Sequence, residues 1–319
     1  MKSLRLLLIA NCSLLIASAR AEDNFDQNRW HETLHRVQDA AINAKISART
    51  INQTIQDSQF LPEIIRRDKN QPEFTITLRQ YLDNSINNLR IQRGKKAGRE
   101  YPTILGRVEK KYNVPRNIIL ALWGMESDFG RMKSQYKISD SFLTLIYDGR
   151  RAGFFEGQLI ALMKLADKNA LPIETIQGSW AGAMGHFQFI PTTLAQYGVD
   201  GNNDGKIDIS NSVGDAIYSA ANYLSRLGWD PKERIARQVK LPADFNMMFC
   251  DGNTKKSLGS WRAMGIIGVP AATKTAGLIC DASVYPAAWL AYDNFYRIKR
   301  WNNSNYYATA AAILSDKLK

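Results

Sequence analysis

The chain has 319 residues, with 42 lysines and arginines against 30 aspartates and glutamates, and a formal net charge of +12. That length is enough to bury a full hydrophobic core in one large domain or in two to three smaller subdomains. Only three cysteines and three histidines are present, which argues against a zinc site of the Cys/His type. The positive charge favours polyanionic partners, either nucleic acid or an anionic cell-surface polymer.

The N-terminus has the pattern of a cleavable export signal, residues 1–21. A basic start and the apolar run Leu6–Ala17 precede Ala19-Arg20-Ala21, which fits the small-x-small cleavage rule. The run is too short to span a membrane, so we expect no transmembrane segment. Cleavage removes three basic residues and no acidic one, which leaves 39 against 30, a net charge of +9. The alternative is an uncleaved amphipathic helix.

Residues 22–112 are predicted to form an N-terminal helical domain. Apolar residues recur with helical spacing from Phe25 to Arg93, and Pro62 and Pro72 mark breaks between the helices. The basic stretch Gln92–Arg99 is predicted to be a solvated loop.

The segment Ala121–Gly130 is predicted to be the end of a helix that buries one face and begins after Asn113-Val114-Pro115. Its apolar positions are spaced by three and four residues: Ile118, Ile119, Leu122, Met125 and Phe129. Glu126 lies on the flank of that face. Burial favours the protonated form of a carboxyl, so Glu126 is a candidate general acid. The alternative is a Glu that reaches solvent or pairs with an arginine.

Two glycine-marked loops follow. Arg150 and Arg151, between two predicted helices, have side chains suited to carboxylates or phosphates, although as a motif the pair is weak and the sequence alone favours a plain surface pair. In Gly178–Gln188 the small residues allow close backbone approach to a helix or to an extended ligand. Ser179 and Gln188 are the polar side chains there that can direct hydrogen bonds. A tight loop packed on a helix is the alternative.

The stretch DGNNDGKID at 200–208 resembles a calcium-binding loop. Ligands would occupy positions 1, 3, 5, 7 and 9, the seventh through a backbone carbonyl: Asp200, Asn202, Asp204, Lys206 and Asp208. Gly205 stands at the sharp turn. Position 12 is Asn211 rather than Glu, so Asp215 is the nearest candidate for the closing carboxylate. We expect a structural Ca²⁺ site; a metal-free turn rich in Asp and Asn is the alternative.

Residues 231–284 are predicted to form a small β-rich insertion, because helical periodicity fades and Gly and Pro divide short runs. Cys250 and Cys280 lie in it. In an exported protein this even pair predicts a disulfide bond, and two buried free thiols are the alternative. Residues 285–319 return to helix. Their cluster Trp301–Tyr307 joins aromatic faces to amides, a combination that suits sugars but is also common in cores.

Several of these segments together resemble the lytic murein transglycosylases of the MltB type, glycoside hydrolase family 103. The resemblance runs from about Phe25 to Leu318 and rests on these segments: ALWGMESDFG, GSWAGAMGHFQF, DGNNDGKID with Asp215-Ala216, Ala221-Asn222-Tyr223-Leu224, Arg300-Trp301-Asn302, Tyr306-Tyr307 and Gln71–Phe74. It implies a mainly α (α+β) fold. A lysozyme-like helical core at 113–230 would carry the calcium loop, with an enclosing helical domain built from both chain ends and the small β insertion.

The resemblance also implies roles for residues. Glu126 would be the sole catalytic acid/base. Ser179 and Gln188 would line the catalytic subsite, and Arg150 and Arg151 would hold the glycan or its peptide stem. Sugar subsites would include Tyr223, Trp301, Asn302 and Tyr307, with Trp301 standing where a tyrosine is often found. Calcium would be held by Asp200, Asn202, Asp204, the Lys206 carbonyl and Asp215.

The expected activity is cleavage of the β-1,4 bond between N-acetylmuramic acid and N-acetylglucosamine with formation of a 1,6-anhydro product. Hydrolysing glycosidases usually need two carboxylates, and Asp128 lies on another side of the helix from Glu126. A single carboxylate thus favours a transglycosylase over a hydrolase. From the resemblance and the export signal we expect a periplasmic monomer that acts on peptidoglycan strands without an organic cofactor. The alternatives are a lysozyme-type hydrolase, a non-catalytic peptidoglycan binder, and a nucleic-acid binder. Only the positive charge supports the last of these.

Overall fold

The computed structural model describes residues 25–69, 76–132 and 134–319. The predicted signal sequence 1–21 and the segment Gln71–Phe74 lie outside them. Across the described ranges, no helix is both long enough and apolar enough to cross a membrane.

The described residues contain fourteen α-helices, which agrees with the predicted mainly α fold. In chain order they are α1 (Gln27–Asn43), α2 (Ala48–Ile55), α3 (Pro62–Lys69), α4 (Leu78–Ser85), α5 (Asn88–Glu100), α6 (Pro102–Tyr112), α7 (Arg116–Ser127), α8 (Ile138–Asp148), α9 (Ala152–Asn169), α10 (Pro191–Tyr197), α11 (Val213–Arg226), α12 (Leu258–Ala263), α13 (Asp293–Trp301) and α14 (Asn305–Lys317).

The same residues contain six short strands. They are β1 (Tyr136–Lys137), β2 (Gln177–Gly178), β3 (Ala236–Lys240), β4 (Lys256–Ser257), β5 (Thr275–Ile279) and β6 (Ala287–Ala291). Strands β1 and β2 pair with each other, and the other four form an antiparallel sheet in the order β3-β6-β5-β4.

The chain divides into two compact units. The first comprises Met1–Gln71 and Gln135–Gly182, and the second comprises Pro72–Ser134 and Ala183–Lys319. Both units are therefore discontinuous in sequence. In the first unit, α8 packs against α1, α3 and α9.

The second unit is built around α7. This helix packs against α5, α6, α11 and α14, and it is buried over most of its circumference rather than on one face. Pro115 precedes its first residue, and the backbone turns left-handed at Asp128 and Phe129, which ends it. Neighbours on all sides explain why Leu120 and Ala121, outside the predicted apolar face, are also buried.

The prediction of a loop at Gln92–Arg99 is wrong, because α5 runs through it without a break. Asn87 caps the helix by accepting a hydrogen bond from the Arg90 backbone N–H at 2.9 Å. Gly94 and Ala97 are buried, and a Cβ on Gly94 would lie 2.6 Å from Leu318. Small residues on one face let α5 pack closely, while Lys95, Lys96 and Arg99 are exposed to solvent.

The predicted β-rich insertion is a sheet, but the sheet extends past residue 284. Strand β6 pairs with both β3 and β5, with Trp289 opposite Gln238 on one side and Ile279 on the other. The prediction of helix from residue 285 is therefore wrong at its start. Short apolar runs such as Ala287–Ala291 do not distinguish a strand from a buried helical turn.

A disulfide bond joins Cys250 and Cys280, the pair for which the sequence predicts it. It connects the short 3₁₀ helix Met247–Cys250 to the residue that follows β5. Trp261 belongs to the same apolar cluster as the two cysteines; it is fully buried and donates its indole N–H to the Ala276 carbonyl at 2.9 Å. The bond thus fastens a loop over the apolar core of the sheet.

Candidate active site

Glu126 lies in the last turn of α7 and is partly buried. One of its carboxyl oxygens, Oε1, accepts two hydrogen bonds from the C-terminal segment. Trp301 donates its indole N–H at 2.9 Å, and Tyr307 donates its hydroxyl at 2.5 Å. Within the described part of the chain, no side chain donates to Oε2. The two carboxyl oxygens therefore differ: one is held by the protein and the other is available to a ligand.

Burial raises the pKa of Glu126 to about 7, and the hydrogen bonds from Tyr307 and Trp301 oppose that rise. A carboxyl with this pKa is present in both protonation states near neutral pH, which suits a group that first donates and then accepts a proton. Burial, followed by the charge of Glu126, raises the pKa of the Tyr307 hydroxyl well above its ordinary value, so this hydroxyl remains a donor.

No second carboxylate is supplied by the end of α7. Asp128, two residues after Glu126, is bound by the guanidinium of Arg93, with Arg90 at 4.0 Å. Because the backbone is left-handed at Asp128, its side chain leaves the helix in a different direction. This agrees with the expectation that Glu126 lacks a partner on its own face.

An aromatic wall lies beside the carboxyl. The Trp301 ring lies 5.2 Å from Phe189 and 5.1 Å from Tyr223, measured between ring centroids, and Tyr223 lies 4.5 Å from Tyr197. The Tyr223 hydroxyl donates to the Arg300 carbonyl at 3.0 Å. Trp301 and Tyr223 are both partly exposed, so their rings can offer apolar faces to a sugar. Asn302, the next residue, is exposed.

Tyr307 differs from its predicted place in a sugar subsite. Its side chain is 4% exposed, and its hydroxyl is used by Glu126. A ring buried to this degree offers no face to a sugar. In this structure, Tyr307 holds the carboxyl instead.

Gln188 lies in the loop that packs against α7. Its backbone is left-handed, and its side-chain amide donates to the Gly185 carbonyl at 3.0 Å. Met184 and Phe189 close the loop by exchanging backbone hydrogen bonds of 2.9 and 3.0 Å. These hydrogen bonds fold residues 184–189 into a closed turn, and the Gln188 side chain is one of the groups that hold it together.

His186 and Trp123 form a contact that sequence reasoning missed. The Trp123 indole N–H donates to His186 Nδ1 at 3.0 Å, and Ser127 donates its hydroxyl to the His186 carbonyl at 2.6 Å. Burial lowers the pKa of His186, which favours the neutral ring that this contact needs. Trp123 and Ser127 are four residues apart on one helical face, but their partner lies about sixty residues further along the chain.

Ser179, Arg150 and Arg151 belong to the first unit, not to the unit that contains Glu126. Both guanidinium groups bind the carboxylate of Asp68, whose side chain is 1% exposed, while the arginines themselves remain about half exposed. A buried carboxylate thus holds the two guanidinium groups together, while both arginine side chains remain accessible to solvent. The Ser179 carbonyl accepts the backbone N–H of Gly182 at 3.0 Å.

The loop at 200–208 has the turn that a calcium loop needs. Asp200 accepts backbone N–H groups from Asn203, Asp204 and Gly205, and Gly205 has a positive φ of 85°. Asn202 donates its amide to the Asp204 carboxylate at 2.9 Å. These oxygen-bearing side chains suit a hard cation such as Ca²⁺. In the described ranges, no three His, Cys, Asp or Glu side chains already converge as a metal cage.

Asp215 fastens this loop. It is fully buried, and its two oxygens accept the backbone N–H groups of Gly201, Asn202 and Asp208. Next to Asp208, the Ile209 carbonyl accepts the backbone N–H of His186 at 3.1 Å. The loop is thereby connected to the segment that contacts α7.

A family model described as the transglycosylase SLT domain matches residues 29–316. The chain belongs to the SLT transglycosylase family. A curated relative, the membrane-bound lytic murein transglycosylase B of Escherichia coli K12, is 32% identical over 241 residues, which are 72% of this chain. The SLT-family chain spans 64% of the length of that relative.

Solved structures of the same class also resemble this SLT-family protein. SltB3 from Pseudomonas aeruginosa, crystallised in complex with NAG-NAM-pentapeptide, superposes with a TM-score of 0.86 at 36% identity, over 91% of this chain and 79% of SltB3. The Escherichia coli lytic transglycosylase Slt35, in complex with calcium, has a TM-score of 0.80 at 28% identity, over 90% of this chain and 92% of Slt35. The expected lysozyme-like transglycosylase fold is thus confirmed.

Proposed function

We propose that the protein is a peptidoglycan lytic transglycosylase in which Glu126 is the only acid/base. The observation that carries the proposal is the asymmetric carboxyl: Oε1 holds two donors, Oε2 is available, and the pKa is about 7. The family and the relatives named above support the same class of reaction.

In the first step, Oε2–H of Glu126 protonates the oxygen that bridges N-acetylmuramic acid and N-acetylglucosamine. The C1–O bond breaks, the N-acetylglucosamine oxygen leaves as a hydroxyl, and the carbonyl oxygen of the 2-acetamido group stabilises the positive C1. A substrate that supplies this oxygen removes the need for a second carboxylate. Trp301 and Tyr307 continue to donate to Oε1 and stabilise the carboxylate that has formed.

In the second step, the Glu126 carboxylate takes the proton of the C6 hydroxyl. O6 then bonds to C1 and displaces the acetamido oxygen, which closes the 1,6-anhydro ring. Glu126 ends protonated, as it began, and no water enters the product. A pKa near neutrality serves both steps, because the same group acts as acid and then as base.

The other groups are assigned by their chemistry. Trp301, Tyr223 and Asn302 would contact sugar rings and their polar edges, and Gln188 would line the catalytic subsite. Arg150 and Arg151 would bind carboxylates of the peptide stems, since Asp68 keeps the two guanidinium groups together.

Calcium would be held by the loop oxygens of Asp200, Asn202, Asp204 and Asp208 and by the Lys206 carbonyl. Asp215 would complete or support the site. Bound Ca²⁺ would neutralise the acidic loop and stabilise the fold there. Export to the periplasm by a cleaved signal at residues 1–21 completes the proposal, since peptidoglycan lies outside the cytoplasmic membrane.

The test is the release of soluble fragments from purified peptidoglycan. Glu126→Gln keeps the shape of the side chain but cannot donate the proton, so we expect its turnover to fall below detection. Glu109→Gln changes an acid that is ion-paired with Arg116 near the surface and serves as the matched control. Equal turnover by Glu126→Gln and the unmodified protein would show that Glu126 is not the acid/base.

A further inference from the structure

A cavity of about 200 Å³ opens at the end of α7 that lies away from Glu126. It lies between the first turn of α7, the last turns of α14 and the segment from Trp229 to Ala236. At a rise of about 1.5 Å per residue, Asn117 is about 13 Å along the helix from Glu126. The cavity is therefore separate from the site described above.

The cavity has an apolar floor and a charged rim. Its floor is formed by buried aliphatic side chains: Ile118, Ile235, Ala236 and Ala312. Lys232, Arg234 and Lys319 lie at its exposed rim. The volume exceeds the share of about 30 Å³ that one molecule occupies in liquid water, so a small organic group fits.

Trp229 lines this cavity with a donor that has no acceptor. The residue is 8% exposed, and its indole Nε1 is buried without a hydrogen-bond partner in the described part of the chain. Leaving such a donor unpaired is unfavourable, because it has given up its hydrogen bond to water. The buried indoles of Trp123 and Trp261 both have acceptors. A ligand oxygen would supply the acceptor that Trp229 lacks.

The charges around the cavity favour an anionic oxygen. Asp316 is neutralised by Arg234 at 2.8 Å and by Lys319, and Glu233 is bound by Lys274 at 2.9 Å. Both acids that line the cavity are therefore already paired. Across the described residues, the Lys232 ammonium forms no ion pair, so it is available to an anion at the rim.

We propose that this cavity binds the terminal carboxylate of a peptide that ends in a small aliphatic residue. One carboxylate oxygen accepts the Trp229 indole N–H, Lys232 pairs with the charge, and the short side chain rests on Ile118 and Ala312. The proposal does not depend on the proposed function, because neither Glu126 nor the aromatic wall takes part in it.

The test uses the full chain labelled with ¹⁵N and follows the indole N–H signals of its seven tryptophans. The Trp229 signal is identified as the one lost in Trp229→Phe. The probes are N-acetyl-D-alanine, N-acetyl-L-alanine and the corresponding neutral amides. We expect the Trp229 signal to shift saturably with at least one acid and not with the amides.

Lys232→Gln should weaken binding of the acid several-fold, measured also by calorimetry, while Lys110→Gln on α6 leaves it unchanged. Unmoved signals for the other tryptophans show that each variant is folded. No response to any probe would mean that the cavity holds only water, and equal responses to acid and amide would rule out a carboxylate site. The same titration on Glu126→Gln should be unchanged, which separates this proposal from the enzymatic one.

Discussion

The Tyr307 hydroxyl lies 2.5 Å from Oε1 of Glu126, and both side chains come from helices that pack against each other in the second unit. Trp301 donates to the same oxygen. The C-terminal segment therefore orients the carboxyl and leaves Oε2 as the oxygen that would carry the proton in the proposed reaction.

Tyr307→Phe removes one donor from Oε1 and leaves the ring in place. A hydrogen bond to a charged group is worth about 1.5–3 kcal/mol, so we expect kcat to fall about 10- to 100-fold. This hydrogen bond lowers the pKa of Glu126, so without it the pKa rises. The loss of activity at alkaline pH, where the acid is ionised, should then begin at higher pH. An unchanged pH profile would contradict the assigned contact.

Trp301→Phe and Trp301→Tyr separate the donor from the stacking face. Phe keeps an aromatic face without a donor, so we expect kcat to fall about 10-fold with little change in KM. Tyr keeps a face and a hydroxyl donor and should recover most of kcat. The measurement is steady-state turnover of soluble glycan. If the two variants lose kcat equally, the indole N–H has no part in the reaction.

Glu126→Gln should stabilise the protein at alkaline pH. The folded pKa of about 7 lies above the unfolded value of about 4.5, so the folded state binds the proton more tightly. The resulting stability is fully present below pH 4.5 and is lost as pH rises through 7. Above pH 7 the loss reaches about 3 kcal/mol, and the Gln variant does not incur it.

The check is thermal unfolding of both proteins at several pH values. The Tm of Glu126→Gln should exceed that of the unmodified protein by a margin that grows from pH 5 to pH 8. A constant difference across this range would show that Glu126 titrates near its ordinary pKa.

The helical framework follows from sequence periodicity, and so does the place of Glu126 at the end of α7. The spacing of Ile118, Ile119 and Leu122 is local information that fixes a helix whatever packs on it. The turn at Gly205 is local in the same sense, because the sharp bend needs a positive φ there.

The contacts that position the carboxyl are not local and could not be derived from residue patterns. Trp301 and Tyr307 lie 175 and 181 residues after Glu126. Their type suggests a sugar subsite, and only the fold shows that Tyr307 is buried against the acid. The basic stretch in α5 led to a wrong prediction because its charges suggest a solvated loop. Its small residues Gly94 and Ala97 are in fact buried on one face of a helix.

Calcium should raise the thermal stability if the loop at 200–208 binds it. At a free concentration of about 100 times Kd the gain is about 2.7 kcal/mol, or about 5 to 10 °C in Tm. Asp200→Ala should abolish the increase, because Asp200 stands at the first ligand position. Asp244→Ala, at an exposed acid outside the loop, is the control. If neither calcium nor a chelator changes the Tm, the loop is a turn that binds no calcium.

The mass of the sugar ends released from purified peptidoglycan tests the central claim most directly. If Glu126 acts alone and the C6 hydroxyl attacks C1, every new muramic acid end is a 1,6-anhydro ring, lighter by one water than a reducing end. Digestion in H₂¹⁸O should then place no heavy oxygen in these ends. Reducing ends that carry ¹⁸O would contradict the account and identify the enzyme as a hydrolase.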